Sequence, residues 1–502
     1  MPTTEPAAGH TAELSAWATG LTWHDTPERV RRRLSLVLLD TLAVALAGAR
    51  TEGQRRLRSA WPQPPGDAPV FGGGSLTHTD TAAYLNATAL VSCELDEGGK
   101  YAKGHPAGHA FPAILTLAAS LGATGEQTAR ALLAGYEVAA RFGRATALRP
   151  GVHPHGNWGV TGAAAGCALL LGLPAPRVAA AVDTACGLPV AGHFDSALDG
   201  HRVRDAWMGT AAHSGLAAAR LAAAGVVENT GTAALTYGTL LGDFDPAALT
   251  RGLGADWQIE HNYFKRHASC SYTHPAADLA LELRERDLDG DRVGEHGRND
   301  GQPHTGGNHP PEGDRHGDRL RDLPPAQLLD RIAGVTVETH ALAAPLDRTH
   351  WDSALAAMFS VPYAVAAALL HGRVAPATAE ATGPARQELL ALARKVTVSE
   401  DPALTARLPH ERPARLTAVL DDGRSVRLYA PNPVGDTDHR PFTARTLPLV
   451  LADVLGDTGL VDRLEHLADT LPETADVGPP LRALAAADTR EPTTSAGTGG
   501  TA

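Results

Sequence analysis

Cysteine, aromatic side chains and basic charge are all scarce in this chain. Its four cysteines, Cys93, Cys167, Cys186 and Cys270, lie far apart and form no CxxC pair. That argues against a structural zinc site or a disulfide scaffold, and reduced thiols are expected. Aromatic residues make up 5% of the chain against 43% hydrophobic residues, so the core has to be built from small aliphatic side chains, which implies closely packed helices. A net charge of −12 argues against general affinity for nucleic acid or anionic membrane, since both need a basic footprint. An anionic ligand would instead need a local basic pocket. The N-terminal MPTTEPAAGH carries acid and no apolar stretch. The longest apolar run near it, Leu34 to Ala47, is shorter than the ~20 residues a bilayer requires, and a cytoplasmic protein is expected.

What is present in quantity is alanine, leucine and glycine. At 502 residues the chain exceeds one ordinary core, and two packed domains with some tail are expected. Asp25-Thr26-Pro27-Glu28 supplies a capping residue and a proline for the first helical position, and the following apolar run to Gly48 reads as one helix. Segments 80–93, 111–122, 126–147, 158–172, 176–187, 205–225 and 274–285 are Ala/Leu-dense and separated by Gly or Pro, so the first half reads as nearly all helix. Beyond about residue 330, IAGVTVETHALA and KVTVSEDPAL alternate like strands, and RLTAVLDDGRSVRLYAP is two alternating runs around Asp422-Gly423, a hairpin signal. DSALAAMFSVPYAVAAALLHG between them reads as helical despite its proline. The fold class is therefore mainly α with a smaller α+β domain: residues 1–264 a large helical domain, 265–435 the smaller domain, 436–490 a helical return to the first, and 491–502 a disordered tail. Residues 286–322 are Gly/Asp/Arg/His-rich without periodicity and are expected to be disordered. Their His296, His304, His309 and His316 match no metal-ligand spacing.

Three stretches could do chemistry. CELDEGGKYAKGHPAGHAFP, residues 93–112, sets Glu94, Asp96 and Glu97 ahead of His105 and His109, with glycines between. It is either a solvated connection between helices or the edge of a site that brings carboxylates against imidazoles. RPGVHPHGNWGVTGAAAG places His153 and His155 before a helix whose Gly156, Gly159, Gly162 and Gly166 form one small face. No strand precedes it, so close helix packing explains those glycines better than phosphate binding. NYFKRHASCSYTHPAADLA holds Lys265, Arg266, His267, Cys270, Tyr272 and His274 just before a helix, which is either an anion-binding patch or a snorkelling surface. HRVRDAWMG adds Arg202 and Arg204 at a helix start, and Tyr363 sits in FSVPYAVAA, where a core role is the ordinary one.

These pieces in this order resemble the MmgE/PrpD family, which includes 2-methylcitrate dehydratases, cis-aconitate decarboxylases and iminodisuccinate epimerases. The resemblance runs from about Leu34 to Leu455 through LLDTLAVALAG, AAYLNATALVSCELDEG, GHPAGHAFPAILTLA, LLAGYEVAARFG, HPHGNWGVTGAAAGCALLLGL, GTAAHSGLAAARLAAAG, FKRHASCSYTHPAADLAL and FSVPYAVAAALLHG. It implies a large all-helical domain with an α+β lid domain, a homodimer, an active site in the cleft between domains, and no metal or organic cofactor. By motif it points to His105 of Gly-His-Pro, His153 of the next His-Pro, Lys265 and Tyr363 as catalytic residues, and to Arg204, Glu94, Asp96, Glu97 and Cys270 around a small anionic polycarboxylate.

The sequence departs from parts of that pattern. Members that dehydrate or decarboxylate tend to show paired aspartates followed by Thr or Ala before the His-Pro, whereas this chain has Glu94-Leu95-Asp96-Glu97-Gly98-Gly99 and then Lys100-Tyr101-Ala102-Lys103. The decarboxylase branch has Lys where Arg204 stands and His where Cys270 stands, so ELDEG with GHP is more similar to the epimerase branch. The shared chemistry is proton transfer at carbon next to a carboxylate, which needs a base of near-neutral pKa and cations to hold the dianionic intermediate. His105, ordinarily near ~6.5, is expected to be that base with little tuning. Glu94, Asp96 or Glu97 would support it, Arg204 and Lys265 would clamp the carboxylates, and Tyr363, Lys265 or His153 would be the second acid. The expected activity is a lyase or isomerase, epimerase or dehydratase ahead of decarboxylase. The alternatives are a catalytically inactive polycarboxylate-binding or scaffold relative and, less favoured, a nucleotide-dependent enzyme.

Overall fold

The structure, a computed structural model, describes residues 3–288 and 319–487. Most of the polar insert, with its four histidines His296, His304, His309 and His316, and the tail after residue 490 lie outside the described residues; the end of the insert is ordered rather than disordered as expected, Leu320–Asp322 forming a short 3-10 turn with Leu320 buried. The described chain is mainly helical with a smaller α+β part, divided into two compact units: residues 3–271, 351–359 and 432–487 form the first, and 272–288, 319–350 and 360–431 the second.

In the first unit helices pack at short range because their contact residues are small. Glu28–Ala49 is buried from Val37 onward and packs on Thr79–Val91 and Thr458–Thr470. It starts with Pro27 in the N-cap position rather than with Asp25 as the cap, and it runs past Gly48 to Ala49. Pro106–Leu121 starts five residues earlier than its apolar run suggests, with Pro106 in the first turn and Pro112 inside the helix. It is packed by Thr79–Val91, Gly125–Ala145 and Val160–Leu170. Thr124 and Gln127 close a capping box at the start of Gly125–Ala145, with bonds of 3.2 and 3.0 Å. The small face read from the sequence serves this packing: a Cβ on Gly162 would stand 2.3 Å from the Gly135 carbonyl oxygen of Gly125–Ala145. Val203–Ala223 completes the stack against Thr79–Val91, Val160–Leu170 and Ala175–Cys186. One further helix, Glu5–Gly20, has no counterpart in the sequence reading; Pro6 sits in its first turn.

The second unit carries a four-stranded sheet in the order Ser425–Ala430, Ala414–Leu420, Ile332–Thr339, Val396–Glu400. The first two strands form the expected hairpin, with Gly423 at φ 83° in the turn. Ile332–Thr339 pairs antiparallel with Ala414–Leu420 and parallel with Val396–Glu400. The single helix expected over DSALAAMFSVPYAVAAALLHG is instead two, Ala354–Met358 in the first unit and Val361–His371 in the second. Pro362 explains the break: proline fits the first turn of a helix but not its interior, and Ser360 caps the new start by accepting from the Tyr363 N–H at 3.0 Å.

Among the described residues no single helix is long and apolar enough to cross a membrane; Glu28–Ala49 and Glu52–Ala60 pass that test only when taken together, and they are bent by 79°.

Candidate functional site

Residues 93–105 form a loop, buried from Cys93 to Lys100, that is held by three attachments. Gly98 and Gly99 pair antiparallel with Tyr263 and Asn262, which brings Lys265, two residues on, beside Glu94. Lys100 donates to Asp436 at 3.0 Å and to Asp438 at 2.7 Å, its side chain and that of Asp436 fully buried. Glu97 accepts from the Ala107 N–H at 2.8 Å and from the Tyr136 hydroxyl at 3.1 Å. The first of these satisfies an orphan donor at the start of Pro106–Leu121. Burial pushes the Glu97 carboxyl up to about 7, against the pull of the Ala107 bond. Asp40 accepts from the Glu97 N–H at 3.1 Å and is itself raised well above the ordinary carboxyl range, chiefly by burial and then by the Glu97 and Asp96 charges.

The three acids at the start of the loop have three different tasks. Asp96 lies against His105, Oδ2 to Nδ1 at 2.9 Å. Glu97 gives His105 its backbone carbonyl, 2.6 Å from the same nitrogen. Glu94 joins the two cations: Lys265 donates to its carbonyl at 3.0 Å and its carboxylate at 2.9 Å, and Arg204 pairs with its other carboxylate oxygen. Glu94 reaches both because its backbone is left-handed, φ 53°, a conformation that costs a non-glycine residue about 1–2 kcal/mol. Lys265 also stands 3.9 Å from Asp96. Arg204 is wholly buried, donates to the Val91 carbonyl at 2.6 Å and to Asp205 at 3.1 Å, and its Nε–H has no partner.

The Glu97 carbonyl accepts from His105 Nδ1 and the Asp96 carboxylate lies beside the same nitrogen, which fixes the proton there, so Nε2 is the nitrogen that can exchange a proton. Burial alone would depress the imidazolium, but the Asp96 charge and contact outweigh it and raise His105 to about 9. The ring is therefore not the near-neutral base expected from its ordinary pKa; near pH 7 it rests as imidazolium. Asp96 is correspondingly held low: burial opposes this, and the His105 and Lys265 charges prevail. A group raised from 6.5 to about 9 contributes stability that is complete below the lower value and lost through the upper. Unfolding free energy should thus fall by about 3 kcal/mol between these pH values. Asp96→Asn should flatten that part of the curve in urea titrations across the alkaline range.

The other histidines differ in what they have left. His109 donates from Nδ1 to the His105 carbonyl at 2.7 Å and accepts at Nε2 from the Gly156 N–H at 3.0 Å. With both nitrogens used, it is a structural residue, and burial lowers it to about 4. Gly159 gives its ring room, since a Cβ there would stand 2.2 Å from His109 Cγ. Gly159→Ala should cost about 1–3 kcal/mol, read as a lower urea midpoint with unchanged slope. His153 accepts at Nδ1 from the His155 N–H at 3.0 Å; burial and then the His105 and His109 charges lower it to about 3. Cys270 is buried, and its N–H donates to the Met358 carbonyl at 2.8 Å. Tyr363 belongs to the second unit, fully buried, with its hydroxyl 2.7 Å from Thr378 Oγ1; burial raises its pKa. Thus the first unit brings His105, Asp96, Glu94, Glu97, Lys265 and Arg204 together. Among the described residues no three His, Cys, Asp or Glu side chains are arranged to hold a metal ion.

Residues 12–245 match the family model of the MmgE/PrpD N-terminal domain and residues 314–447 that of the MmgE/PrpD C-terminal domain. Over 300 residues the chain is 28% identical to a protein of Aspergillus terreus named cis-aconitate decarboxylase, an alignment covering 56% of this chain and 61% of that protein. Over 308 residues it is 30% identical to an Aspergillus oryzae protein named cis-aconitate decarboxylase-like protein oryM, covering 56% and 62%. The matched stretch spans less than two thirds of these curated relatives.

Proposed function

Because this chain belongs to the MmgE/PrpD family, we propose that it is a cofactor-independent lyase or isomerase that moves a proton at carbon next to a carboxylate of a small di- or tricarboxylate. The observation that carries this reading is His105, fixed through Nδ1 by Asp96 and the Glu97 carbonyl and flanked by the Lys265–Glu94–Arg204 cluster.

The chemistry follows from the resting charges. His105 begins as the acid: from Nε2 it can protonate a leaving hydroxyl or a carbanion, and once neutral it can take a proton from carbon. Glu94 already occupies much of the donor capacity of both cations, so they do not stand open as a clamp. What remains for a substrate carboxylate is the Nε–H of Arg204 and the third N–H of Lys265. A resting imidazolium suits delivery of a proton to a carbanion after loss of CO2, the activity in the names of the two Aspergillus relatives. It suits equally the protonation of a departing hydroxyl in dehydration. Epimerisation needs a second acid on the opposite face.

The test is a panel of cis-aconitate, 2-methylcitrate and iminodisuccinate followed by proton NMR in heavy water. Deuterium incorporation is expected for one of them, and the product distinguishes the three reactions. Absence of exchange and of turnover with all three overturns the reading for these compounds.

A further inference from the structure

The cluster at the start of Pro106–Leu121 and Val160–Leu170 contains four imidazoles, and in three of them Nδ1 has a partner within the protein. His109 uses both nitrogens, His153 uses Nδ1 to accept from a backbone N–H, and His105 uses Nδ1 toward Asp96 and Glu97. His155 is different. It is 1% exposed, and its Nδ1 is buried with no hydrogen-bond partner. Its ring stands between the others, 4.8 Å from His105 at 89°, 4.5 Å from His153 at 84° and 6.2 Å from His109 at 85°. A buried polar group without a partner costs about 1–3 kcal/mol, and no side chain around it removes that cost.

We propose that His155 contacts the substrate, its Nδ1–H donating a hydrogen bond to the oxygen that gains negative charge as His105 exchanges a proton with the neighbouring carbon. The proposal rests on the proton-transfer reading above. It adds His155 beside His153, the catalytic residue that the sequence resemblance points to, whose Nδ1 accepts from the His155 N–H. No proton leaves His155 in the step; the bond only strengthens as charge develops. Burial first, and then the neighbouring His153, His105, His109 and Lys265 charges, hold His155 well below the usual histidine range. It is therefore neutral and does not compete with His105 for the proton, and the proposed contact uses the tautomer with hydrogen on Nδ1. Fixed donors aimed at developing negative charge in a dry site are worth about 10²–10³ in kcat.

His155→Phe keeps a flat ring without the hydrogen bond, and His155→Gln restores a donor. In the deuterium-exchange assay with the same three compounds, His155→Phe should lower kcat about 10²–10³-fold with KM little changed, and His155→Gln should recover part of the loss. His155→Phe turning over like the unaltered protein overturns the proposal. If none of the three compounds is exchanged by the unaltered protein, the proton-transfer reading fails for them. The role of His155 is then decided by 15N NMR of histidine-labelled protein titrated with propane-1,2,3-tricarboxylate, which also decides it if the variants do not fold. The His155 Nδ1 resonance should move on addition of that tricarboxylate; an unmoved resonance overturns the proposal.

Discussion

His105→Gln should reduce solvent deuterium exchange into the substrate by about 10²–10⁴-fold, the contribution of a positioned acid/base, while the protein keeps its native circular dichroism. Glutamine can still donate toward the Glu97 carbonyl, which accepts from His105 Nδ1 at 2.6 Å, so the local backbone has reason to stay in place. What it lacks is Nε2, the nitrogen left able to exchange a proton. The variant also strips Asp96 of its principal cation and leaves it Lys265 at 3.9 Å, so a lower melting temperature is expected along with the loss of exchange. Exchange at the unaltered rate would remove His105 from the chemistry.

The largest effect on stability is expected at Glu94. Its carboxylate lies between two cations that are themselves buried, Arg204 and Lys265. Removing one partner of a buried ion pair costs about 3–5 kcal/mol, because the charge left behind has no water to turn to. Glu94→Gln preserves the shape and the left-handed backbone demand while removing the charge. Arg204 would keep Asp205 and the Val91 carbonyl, and Lys265 would keep the Glu94 carbonyl, so the loss should fall within that range rather than above it. Urea unfolding should show the midpoint falling with little change in slope; an unmoved midpoint would mean that Glu94 does not hold the two cations together.

The elements that sequence made legible are those whose pattern and turn chemistry agree. The hairpin around Asp422-Gly423 and the strand Ile332–Thr339 alternate and end in turn residues. The long helices of the first unit are apolar runs bounded by Gly or Pro. Glu5–Gly20 was not legible because its apolar residues are dilute and mixed with Glu, Thr and Gly. The break before Val361–His371 was obscured because alanine continues on both sides of Pro362.

In the site, the chain segments were legible and the pairings were not. Glu94, Asp96 and Glu97 are neighbours of similar chemistry, and only the backbone decides their tasks: φ 53° at Glu94 sends it to Arg204 and Lys265, Asp96 meets His105, and Glu97 caps the next helix. Lys100, where the sequence leaves the dehydratase pattern, is an anchor to Asp436 and Asp438. His155 could have been singled out from its place beside His153, but only the hydrogen-bond accounting separates the two.

The proposed chemistry depends most on Asp96 holding His105 as a protonated imidazole whose Nε2 is the exchanging nitrogen. Direct titration of the His105 ring by 15N NMR tests it most closely. A midpoint near 9 is expected in the unaltered protein, falling toward or below the ordinary ~6.5 in Asp96→Asn. A ring that already titrates below neutrality with Asp96 in place would contradict that charge state.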